Sequence, residues 1–600
     1  FLEKSPQVMR VFYTSRTHIQ LQQLVSEFKK LPYFPRFSIL ASRRHLCIVP
    51  EVVRSNNPDY ECKKLCDTGS CPYNISMNLI PNQAKTTNNS EYTDIEDLKI
   101  NPSLIGANSS KPQLPIPFEF TNQGQNPKFD LDDLKNYGKK HKVCPYQLSR
   151  SIYQNSQLVF CPYNYILTPS EDKSLLSDLV KNSSIVIFDE GHNIESTARD
   201  DSSISISYRL AFEARKSAQN APQSSSHKQL FDQIQILATD VINFINSKKE
   251  EYKELIRKNS NNSSFKKPKY LQGDSIQNVF VKMNENQIQL KSIGIQMHNW
   301  LQYINTKGPN EKNSYINEIL VSFCSVCCDV FRILTRASYD SFKIAFVPDE
   351  TGRKEKDEFR LLCMRPAFLF DKINKNARSV IIASGTLSPL DSFASELEAS
   401  FPIRVSAPHV VDPSQVLSIS INSYKNCRIT SKFSALQAHS HEIYSSLSQI
   451  ILKTIQTVPG GALLFTPSYY TKDSIIKNWK STNVYDSISR IKPIVEEKSD
   501  LPAKVIIDQF VSYPNGAFLI GVCRGKISEG LDFADDLARI VYVFGIPYPG
   551  FKDPEVELKM NYNDYRHRVN KSYLSGSDWY TGQAFRALFQ SVGRCLRHTS

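Results

Sequence analysis

Short runs of β-branched and other apolar residues constrain this chain more than any other feature of its sequence. The runs are Val11–Tyr13, Leu158–Phe160, Ile185–Phe188, Ser379–Ala383, Ala462–Phe465, Phe518–Val522 and Ile540–Phe544. Runs of this kind are typical of strands buried on both faces of a parallel sheet. Helical patterns separate an early group of runs from a late group. We therefore expect an α/β fold with two doubly wound parallel-sheet lobes, the first interrupted by two insertions.

The strongest chemical signal follows the run Ile185–Phe188, where the chain continues as Asp189-Glu190-Gly191-His192. Ligands of open α/β sheets bind at the carboxyl ends of the strands, which is where this acidic pair falls. In a nucleotide hydrolase, Asp189 would hold Mg²⁺ and Glu190 would orient or deprotonate the attacking water. His192 is a candidate for coupling the site to a second lobe. The alternative is an acidic turn without chemistry.

A second signal lies at the end of the chain. Gln590, Gly593, Arg594 and Arg597 are spaced to share one face of a helix. Two guanidinium groups on such a face suit the γ-phosphate of ATP. The alternative is a solvated basic face, which most charge runs form.

Two polar segments follow other predicted strands. Residues 524–533 contain Gly530 and Asp532 in a glycine-bearing loop that is able to approach phosphate. Residues 383–388 carry small hydroxyl side chains suited to a relay between nucleotide and nucleic acid. Each segment is weak evidence alone, because many strand-to-helix turns look similar.

Cysteines concentrate between residues 41 and 150, at Cys47, Cys62, Cys66, Cys71 and Cys144. The chain has 13 cysteines and no secretory signal, which favours a reducing compartment and metal binding over disulfides. Four thiolates suffice for a [4Fe–4S] cluster or a zinc site, and spacing alone does not choose between them. A polar stretch from about Asn78 to Lys128 is too poor in apolar residues to bury and is predicted to be a disordered insertion.

The charge and the hydropathy of the chain limit the classes of partner that it is expected to bind. The 73 Lys and Arg residues exceed the 60 Asp and Glu residues, and the resulting +13 mildly favours a polyanion. No apolar run reaches the roughly 18 residues of a membrane span, so no membrane partner is expected. The chain starts at Phe1, close to a predicted strand, and ends inside an Arg-rich segment, so we expect a fragment of a larger protein.

In order along the chain, these motifs resemble those of the superfamily 2 DNA helicases with an iron–sulfur domain, the xeroderma pigmentosum group D type. The matching segments are 14–20 (motif Ia), 189–192 (DEAH box), 383–388 (motif III), 524–532 (motif V) and 590–597 (motif VI). Gly191 replaces the usual Ala of the DEAH box. Within the family, segments such as 160–165 and 522–533 are most similar to the Fanconi anaemia group J branch, with the telomere-elongation regulators as the nearest alternative.

The resemblance implies an ATP-dependent DNA helicase with two RecA-like lobes, interrupted by an iron–sulfur domain and a helical arch. It implies 5′→3′ translocation on single-stranded DNA, unwinding of forked DNA, a nuclear location and a role in genome maintenance and DNA repair, with repair partners contacting regions outside this chain. The implied nucleotide-site residues are Asp189, Glu190, His192, Gly530, Asp532, Gln590, Arg594 and Arg597. The implied cluster ligands are Cys47, Cys62, Cys71 and Cys144, with Cys66 as the alternative to Cys62. The implied nucleic-acid contacts are Ser15, Arg16, Thr17, Gln20 and Tyr165.

The implied domains divide the chain into six segments. Lobe 1 takes residues 1–40, 151–204 and 371–405, the iron–sulfur domain 41–150, the helical arch 205–370, and lobe 2 residues 406–600. No G-x-x-x-x-G-K-[ST] sequence occurs in the 600 residues, and in this family the loop would precede Phe1. The printed chain alone is therefore expected to be inactive. The alternative is a non-catalytic DNA-binding or scaffold protein that lacks the phosphate loop altogether.

Overall fold

A computed structural model describes residues 9–33, 35–55, 57–73, 128–154, 156–168, 184–221, 227–259, 268–273, 287–306, 317–336, 339–408, 411–527, 533, 535–551 and 553–593. The predicted disordered insertion at about 78–128 lies almost entirely outside this part of the chain. Two compact units are present, Phe1–Gly385 with Glu396–Ala399, and Thr386–Ser395 with Ser400–Ser600. None of the described helices has the length and apolar character needed to cross a membrane.

The first unit contains a parallel sheet of five strands in the order β2-β3-β1-β4-β9. Its strands are β1 (Val11–Ser15), β2 (Phe37–Ile39), β3 (Leu158–Pro162), β4 (Ile185–Asp189) and β9 (Ser379–Ala383). Asp189 pairs in register with Ala383, and Thr14 pairs with Phe188, so the carboxyl ends of β1, β4 and β9 share one edge. Phe12, Val186 and Phe188 are fully buried. The predicted parallel sheet is confirmed, but β9 is not the buried strand that its apolar run predicted, because it lies at the edge of the sheet and none of its five residues is buried.

Helices surround this sheet and build the cysteine-bearing region. They are α1 (His18–Lys30), α2 (Arg43–Leu46), α3 (Pro50–Arg54), α4 (Pro58–Asp67), α5 (Leu131–His141), α6 (Pro145–Gln154) and α7 (Ile194–Asp201). Thr17 and Gln20 begin α1 with a capping box, each side chain accepting a backbone N–H of the other residue. Leu21, Val25 and Phe28 form the buried stripe of α1.

The region that follows combines helices with a second sheet. Its helices are α8 (Tyr208–Gln219), α9 (Lys228–Lys258), α10 (Gln287–Thr306), α11 (Glu318–Arg336) and α12 (Ala367–Asn376). Its strands are β5 (Ile204–Ser207), β6 (Leu271–Gln272), β7 (Phe342–Val347) and β8 (Glu358–Cys363), paired antiparallel in the order β5-β8-β7-β6. Sequence patterns predicted a helical arch and did not predict this sheet. Cys324, Cys327 and Cys328 lie in the hydrophobic core between the helices and this sheet, as their apolar surroundings in the sequence predicted.

The second unit contains a four-stranded parallel sheet in the order β13-β14-β12-β15. Its strands are β12 (Ala462–Thr466), β13 (Ile494–Glu496), β14 (Phe518–Val522) and β15 (Ile540–Val543), and β10 (Ser423–Tyr424) pairs with β11 (Cys427–Arg428) as a separate hairpin. The remaining helices in the described part of the chain are α13 (Leu390–Leu397), α14 (Phe433–Thr457), α15 (Tyr469–Ser481), α16 (Val484–Ile491), α17 (Ala503–Val511), α18 (Pro554–Val569) and α19 (Gly576–Val592). Successive residues of β12 and β14 enter two different cores, because each face of the sheet is covered.

Candidate functional site

The carboxyl edge of the first sheet gathers residues that are far apart in the sequence. The ends of β1, β3, β4 and β9 deliver Ser15, Pro162, Asp189 and Ala383 to this edge. Parallel strands place such residues side by side whatever their separation along the chain. We call Asp189–His192 together with Ser384 the β4 corner.

The β4 corner joins three polar side chains. Ser384 Oγ donates to Glu190 Oε2 at 3.1 Å, and His192 Nδ1 lies 2.7 Å from the same hydroxyl oxygen. Because the Ser384 proton is directed at the carboxylate, we assign the Nδ1 proton of His192 to the bond with Ser384. The His192 side chain is 6% exposed and that of Glu190 is 39% exposed. Glu190 is therefore oriented from one side and open to solvent on the other.

Asp189 has an electrostatic environment suited to a cation. Burial, followed by the negative charge of Glu190, raises the pKa of Asp189 to about 6. The Tyr163 hydroxyl donates to the backbone carbonyl of Asp189, so it fixes the strand end and not the carboxylate. A divalent cation would offset both causes of the raised pKa, and carboxylate oxygens are ligands that Mg²⁺ accepts. The residues present thus fit a magnesium ion.

Gly191 is required by its neighbour on β9. A Cβ atom at this position would lie 2.1 Å from Ile382 Cγ2. The preceding residue, Glu190, has a left-handed backbone with φ of 52°. Alanine therefore does not fit between β4 and β9 in this chain, which explains the departure from the usual DEAH sequence.

The four predicted nucleic-acid residues at the end of β1 and the start of α1 have two kinds of structural role. Ser15 is fully buried, and its hydroxyl donates to Gln20 Oε1 at 3.0 Å. Gln20 Oε1 also accepts the Thr17 backbone N–H at 3.1 Å, so both side chains hold the start of α1. Arg16 donates to Asn193 Oδ1 at 3.1 Å, which ties this loop to the turn after β4. Contact with nucleic acid remains a prediction for all four.

The five clustered cysteines line one cavity. Cys47 follows α2, Cys62 and Cys66 lie one turn apart on α4, Cys71 follows α4, and Cys144 precedes α6. The cavity brings together residues that the polar insertion separates in sequence. Cys62 and Cys66 both reach it, so the choice between them stays open.

The cysteine thiols that line this cavity have different pKa values. A hydrogen bond from Cys66 and the nearby charge of Arg43 lower the pKa of Cys62 to about 6, against the effect of burial. Burial raises the pKa of Cys144 to about 11. A set of soft thiolate donors fits an iron–sulfur or zinc centre. Among the described residues, no three His, Cys, Asp or Glu side chains converge as a finished metal site.

Tyr165 is partly exposed and is connected through Arg150 to Tyr146, which lines the cavity of the five cysteines. The Arg150 guanidinium stands 5.8 Å from its ring centre and 4.6 Å from that of Tyr146. A second guanidinium, that of Arg43, lies 4.2 Å from the centre of the same Tyr146 ring. Alternating guanidinium and aromatic groups suit the binding of single-stranded nucleic acid, because its bases stack on aromatic rings and its phosphates are anionic.

The second unit holds the remaining predicted nucleotide-site residues. Gln590 lies on α19, which is described to Val592. Gly530, Asp532, Arg594 and Arg597 lie outside the described residues. Gln590, Gly593, Arg594 and Arg597 were predicted to share one helix face. The structure describes only the first two of these four residues.

Sequence reasoning missed the roles of several residues in and beside the β4 corner. Ser384 was noted only as part of a hydroxyl-rich segment, although it bonds to both Glu190 and His192. Beside the corner, Tyr163 fixes the Asp189 backbone and Asn193 holds Arg16, and no sequence pattern indicated either role. The signal that was present is positional, because each follows a predicted parallel strand of one sheet.

Two parallel sheets, one bearing an acidic pair at its carboxyl edge, define the class of two-lobed RecA-like motor proteins. Two protein-family models of helicase domains also match the sequence. DEAD_2 matches residues 13–110 and 115–210, and the Helicase C-terminal domain matches residues 451–600.

Individual relatives agree with the family models. The Fanconi anemia group J protein homolog of Gallus gallus is 31% identical, over 99% of this chain and 48% of that protein. Regulator of telomere elongation helicase 1 of Rattus norvegicus is 28% identical, over 98% of this chain and 47% of that protein. A solved structure described as an XPD helicase has a TM-score of 0.49 at 15% identity, over 98% of this chain and 86% of that one.

These matches place the chain among the superfamily 2 helicases of the xeroderma pigmentosum group D type, related to the group J and telomere-elongation proteins. The predicted family is confirmed. The chain spans about half the length of the curated relatives it matches.

Proposed function

We propose that this chain is the motor of an ATP-dependent DNA helicase that acts in genome maintenance and DNA repair. The β4 corner carries the proposal, because a half-exposed Glu190 held by Ser384 and His192 suits a group that activates water. Further support comes from the helicase family models and from the names of the two relatives.

In this proposal Glu190 orients and deprotonates the water that attacks the γ-phosphate. His192 donates to Ser384, Ser384 donates to Glu190, and the two bonds fix the carboxylate while its other side faces solvent. Asp189 would hold Mg²⁺, which when bound polarises the phosphate oxygens. We propose that Arg594 and Arg597, with Gln590, stabilise charge on the γ-phosphate, and that Gly530 and Asp532 complete the nucleotide site.

We propose that the thiol-lined cavity holds a [4Fe–4S] cluster through Cys47, Cys71, Cys144 and either Cys62 or Cys66. The domain that contains this cavity (41–150) and the region 205–370 are both insertions in lobe 1. We propose that DNA strands separate where they contact these two insertions. Arg16 and Thr17 after β1, supported by Ser15 and Gln20, would contact phosphates without reading sequence. Tyr165 would stack on a base of the translocated strand.

The direction and setting are inferred from the family. We propose 5′→3′ translocation on single-stranded DNA, forked DNA as a substrate, and a nuclear location. The division into lobe 1 (1–40, 151–204, 371–405), an iron–sulfur domain (41–150), an arch (205–370) and lobe 2 (406–600) is part of the same proposal.

The motor proposal is tested with the full-length protein that contains this chain. We expect ATP hydrolysis stimulated by single-stranded DNA, and separation of a fork bearing a 5′ tail. Glu190→Gln should lower turnover at least about a hundredfold, since general-base groups contribute roughly 10²–10⁴. Glu496→Gln, which changes an acidic residue at the end of β13, is the matched control. Full activity in Glu190→Gln would contradict the assignment.

The cluster proposal needs its own measurement. Anaerobically purified protein should contain about four iron and four sulfide ions per chain. Cys71→Ser and Cys144→Ser should lose iron, whereas Cys324→Ser, a buried thiol outside the cavity, should keep it. Of Cys62→Ser and Cys66→Ser, only one should lose iron. Stoichiometric zinc without iron would refute the cluster.

A further inference from the structure

The second unit has an acidic residue that no motif explains. Glu497 directly follows β13, at the same carboxyl edge at which β14 ends, and it is fully buried. A carboxylate is costly to bury, so its partners indicate what it does. Three neutral donors reach its carboxylate, and the buried Lys472 ammonium donates to its backbone carbonyl at 2.8 Å.

Two of those donors are backbone amides, one from the last residue of β14 and one from the turn that follows it. The Val522 N–H donates to Glu497 Oε2 at 2.8 Å, and the Lys526 N–H donates to Oε1 at 2.9 Å. The third donor is the Tyr469 hydroxyl, 2.8 Å from Oε1. One carboxylate thus links the end of β14 to Lys526 in the segment Cys523–Ile527, which we call the β14 turn and which leads into motif V.

Two glycines make room for this carboxylate. A Cβ atom on Gly525 would lie 2.6 Å from Glu497 Oε1, and one on Gly521 would lie 3.2 Å from Oε2. The Lys526 ammonium donates to the carbonyls of Ser499 at 2.6 Å and Leu501 at 3.3 Å, beyond Glu497 in the chain. The β14 turn is therefore built around Glu497 and the loop that follows it.

The other side of the β14 turn contacts the helix of motif VI. Arg524, with a left-handed φ of 61°, donates its guanidinium to the carbonyl of Gln583 on α19. Ser591 is buried beside Gln590, and its Oγ, which donates to the Ala587 carbonyl at 2.9 Å, lies 3.6 Å from Cys523 Sγ. Displacing the turn would therefore move the end of α19.

We infer that Glu497 is a positioning residue of the motor, fixing the β14 turn and, through it, the α19 end that carries Gln590. The inference rests on the proposed function. Stability alone gives little reason for a buried carboxylate, because apolar replacements of buried charged groups are often neutral or stabilising. A carboxylate does supply two acceptors in a fixed geometry for two amides, which no apolar side chain can do.

Glu497→Gln tests this in the full-length protein. The amide keeps the size of the carboxylate but presents an NH₂ group to one of the two backbone donors, so one bond to the β14 turn is lost. We expect the DNA-stimulated kcat for ATP to fall about tenfold while KM for ATP changes by less than about twofold. Tyr469→Phe removes the third donor and leaves both amide bonds, so it should stay within about twofold of wild type in kcat.

Glu496→Gln is the matched control for folding. Glu496 also accepts a tyrosine hydroxyl, that of Tyr485 at 2.8 Å, but does not bond to the β14 turn. If Glu497→Gln does not fold, Gly525→Ala disturbs the same contact and should show the same drop in kcat. Equal kcat in Glu497→Gln and wild type, or an equal loss in Glu496→Gln, would overturn the positioning role alone. A wild type without DNA-stimulated hydrolysis would overturn the motor proposal and this inference together.

Discussion

Two glutamates occupy matching places in the two sheets and have opposite surroundings. Glu190 follows β4 and is 39% exposed, and its carboxylate accepts a hydrogen bond from Ser384, which His192 holds in turn. Glu497 follows β13, is fully buried, and accepts two backbone amides and a tyrosine hydroxyl. The same residue type at the same edge of the same kind of sheet is open to solvent in one unit and enclosed in the other.

The difference separates chemistry from positioning. A group that transfers a proton must meet water, and its side-chain neighbours can adjust while it does so. A group that fixes a backbone turn must exclude water, because its bonds are stronger and more selective when buried. Substitutions at the β4 corner should therefore affect activity more than stability, and substitutions at Glu497 should affect both.

Asp189→Asn should have the largest effect on activity. The asparagine keeps the shape of the side chain and removes the charge that would hold Mg²⁺. Loss of a metal contact worth several kcal/mol lowers turnover by about a thousandfold. Steady-state ATPase assays over a magnesium series measure this, with circular dichroism to verify folding. Turnover above about a tenth of wild type would remove Asp189 from the site.

Glu497→Ala should have the largest effect on stability. The change leaves two buried backbone amides without an acceptor, at about 1–3 kcal/mol each. Glu190→Ala at a half-exposed position should cost less than about 0.5 kcal/mol. Hydrogen exchange of the Val522 and Lys526 amides reports the loss locally. Equal exchange in wild type and Glu497→Ala would contradict the comparison.

Gly191→Ala should destabilise the β4 corner although it restores the more usual residue. The new Cβ would approach Ile382 Cγ2 to 2.1 Å, and such overpacking costs about 1–3 kcal/mol. Ile382→Leu removes the β-branch that causes the clash. The double variant should therefore lose less stability than the sum of the single ones, which a double-mutant cycle of urea midpoints measures. Strict additivity would show that Ile382 is not the obstacle.

The sequence was most informative where burial on both faces leaves a long apolar signature. Phe518–Val522 was predicted with the bounds that the structure gives, and all five of its residues are buried, as in a parallel strand covered on both faces. Ser379–Ala383 was also predicted with its observed bounds, although none of its five residues is buried. The antiparallel strands Phe342–Val347 and Glu358–Cys363 carry charged residues among apolar ones, and their pairing is fixed by contacts distant in sequence. Local patterns do not contain that information.

The candidate site divides in the same way. Asp189 and Glu190 were predictable because an acidic pair directly after a buried run is unusual. Ser384 and Glu497 were not, because their importance comes from side chains and amides that the sheet brings together across the chain. Glu497 in particular sits in an ordinary Glu-Glu-Lys sequence, where its neighbour Glu496 has the same chemistry and different contacts.

The smallest expected effect is the pH dependence of stability at Asp189. Its pKa is raised from 3.8 to about 6 by burial and by Glu190. The folded state therefore binds this proton at a higher pH than the unfolded chain, and the ionised group disfavours folding. That penalty is present in full above about pH 6 and disappears as the pH falls toward 4.

Asp189→Asn lacks the penalty, so in magnesium-free buffer it should unfold at slightly higher urea than wild type at pH 7. The gap between the two midpoints should close between about pH 6 and pH 4, since the wild-type carboxyl then becomes neutral as well. Adding Mg²⁺ at pH 7 should narrow the gap by stabilising wild type alone, because a bound cation favours the folded state that holds it. A gap that widens toward low pH would mean that Asp189 is ionised at lower pH in the folded state, as a residue already paired with a cation would be.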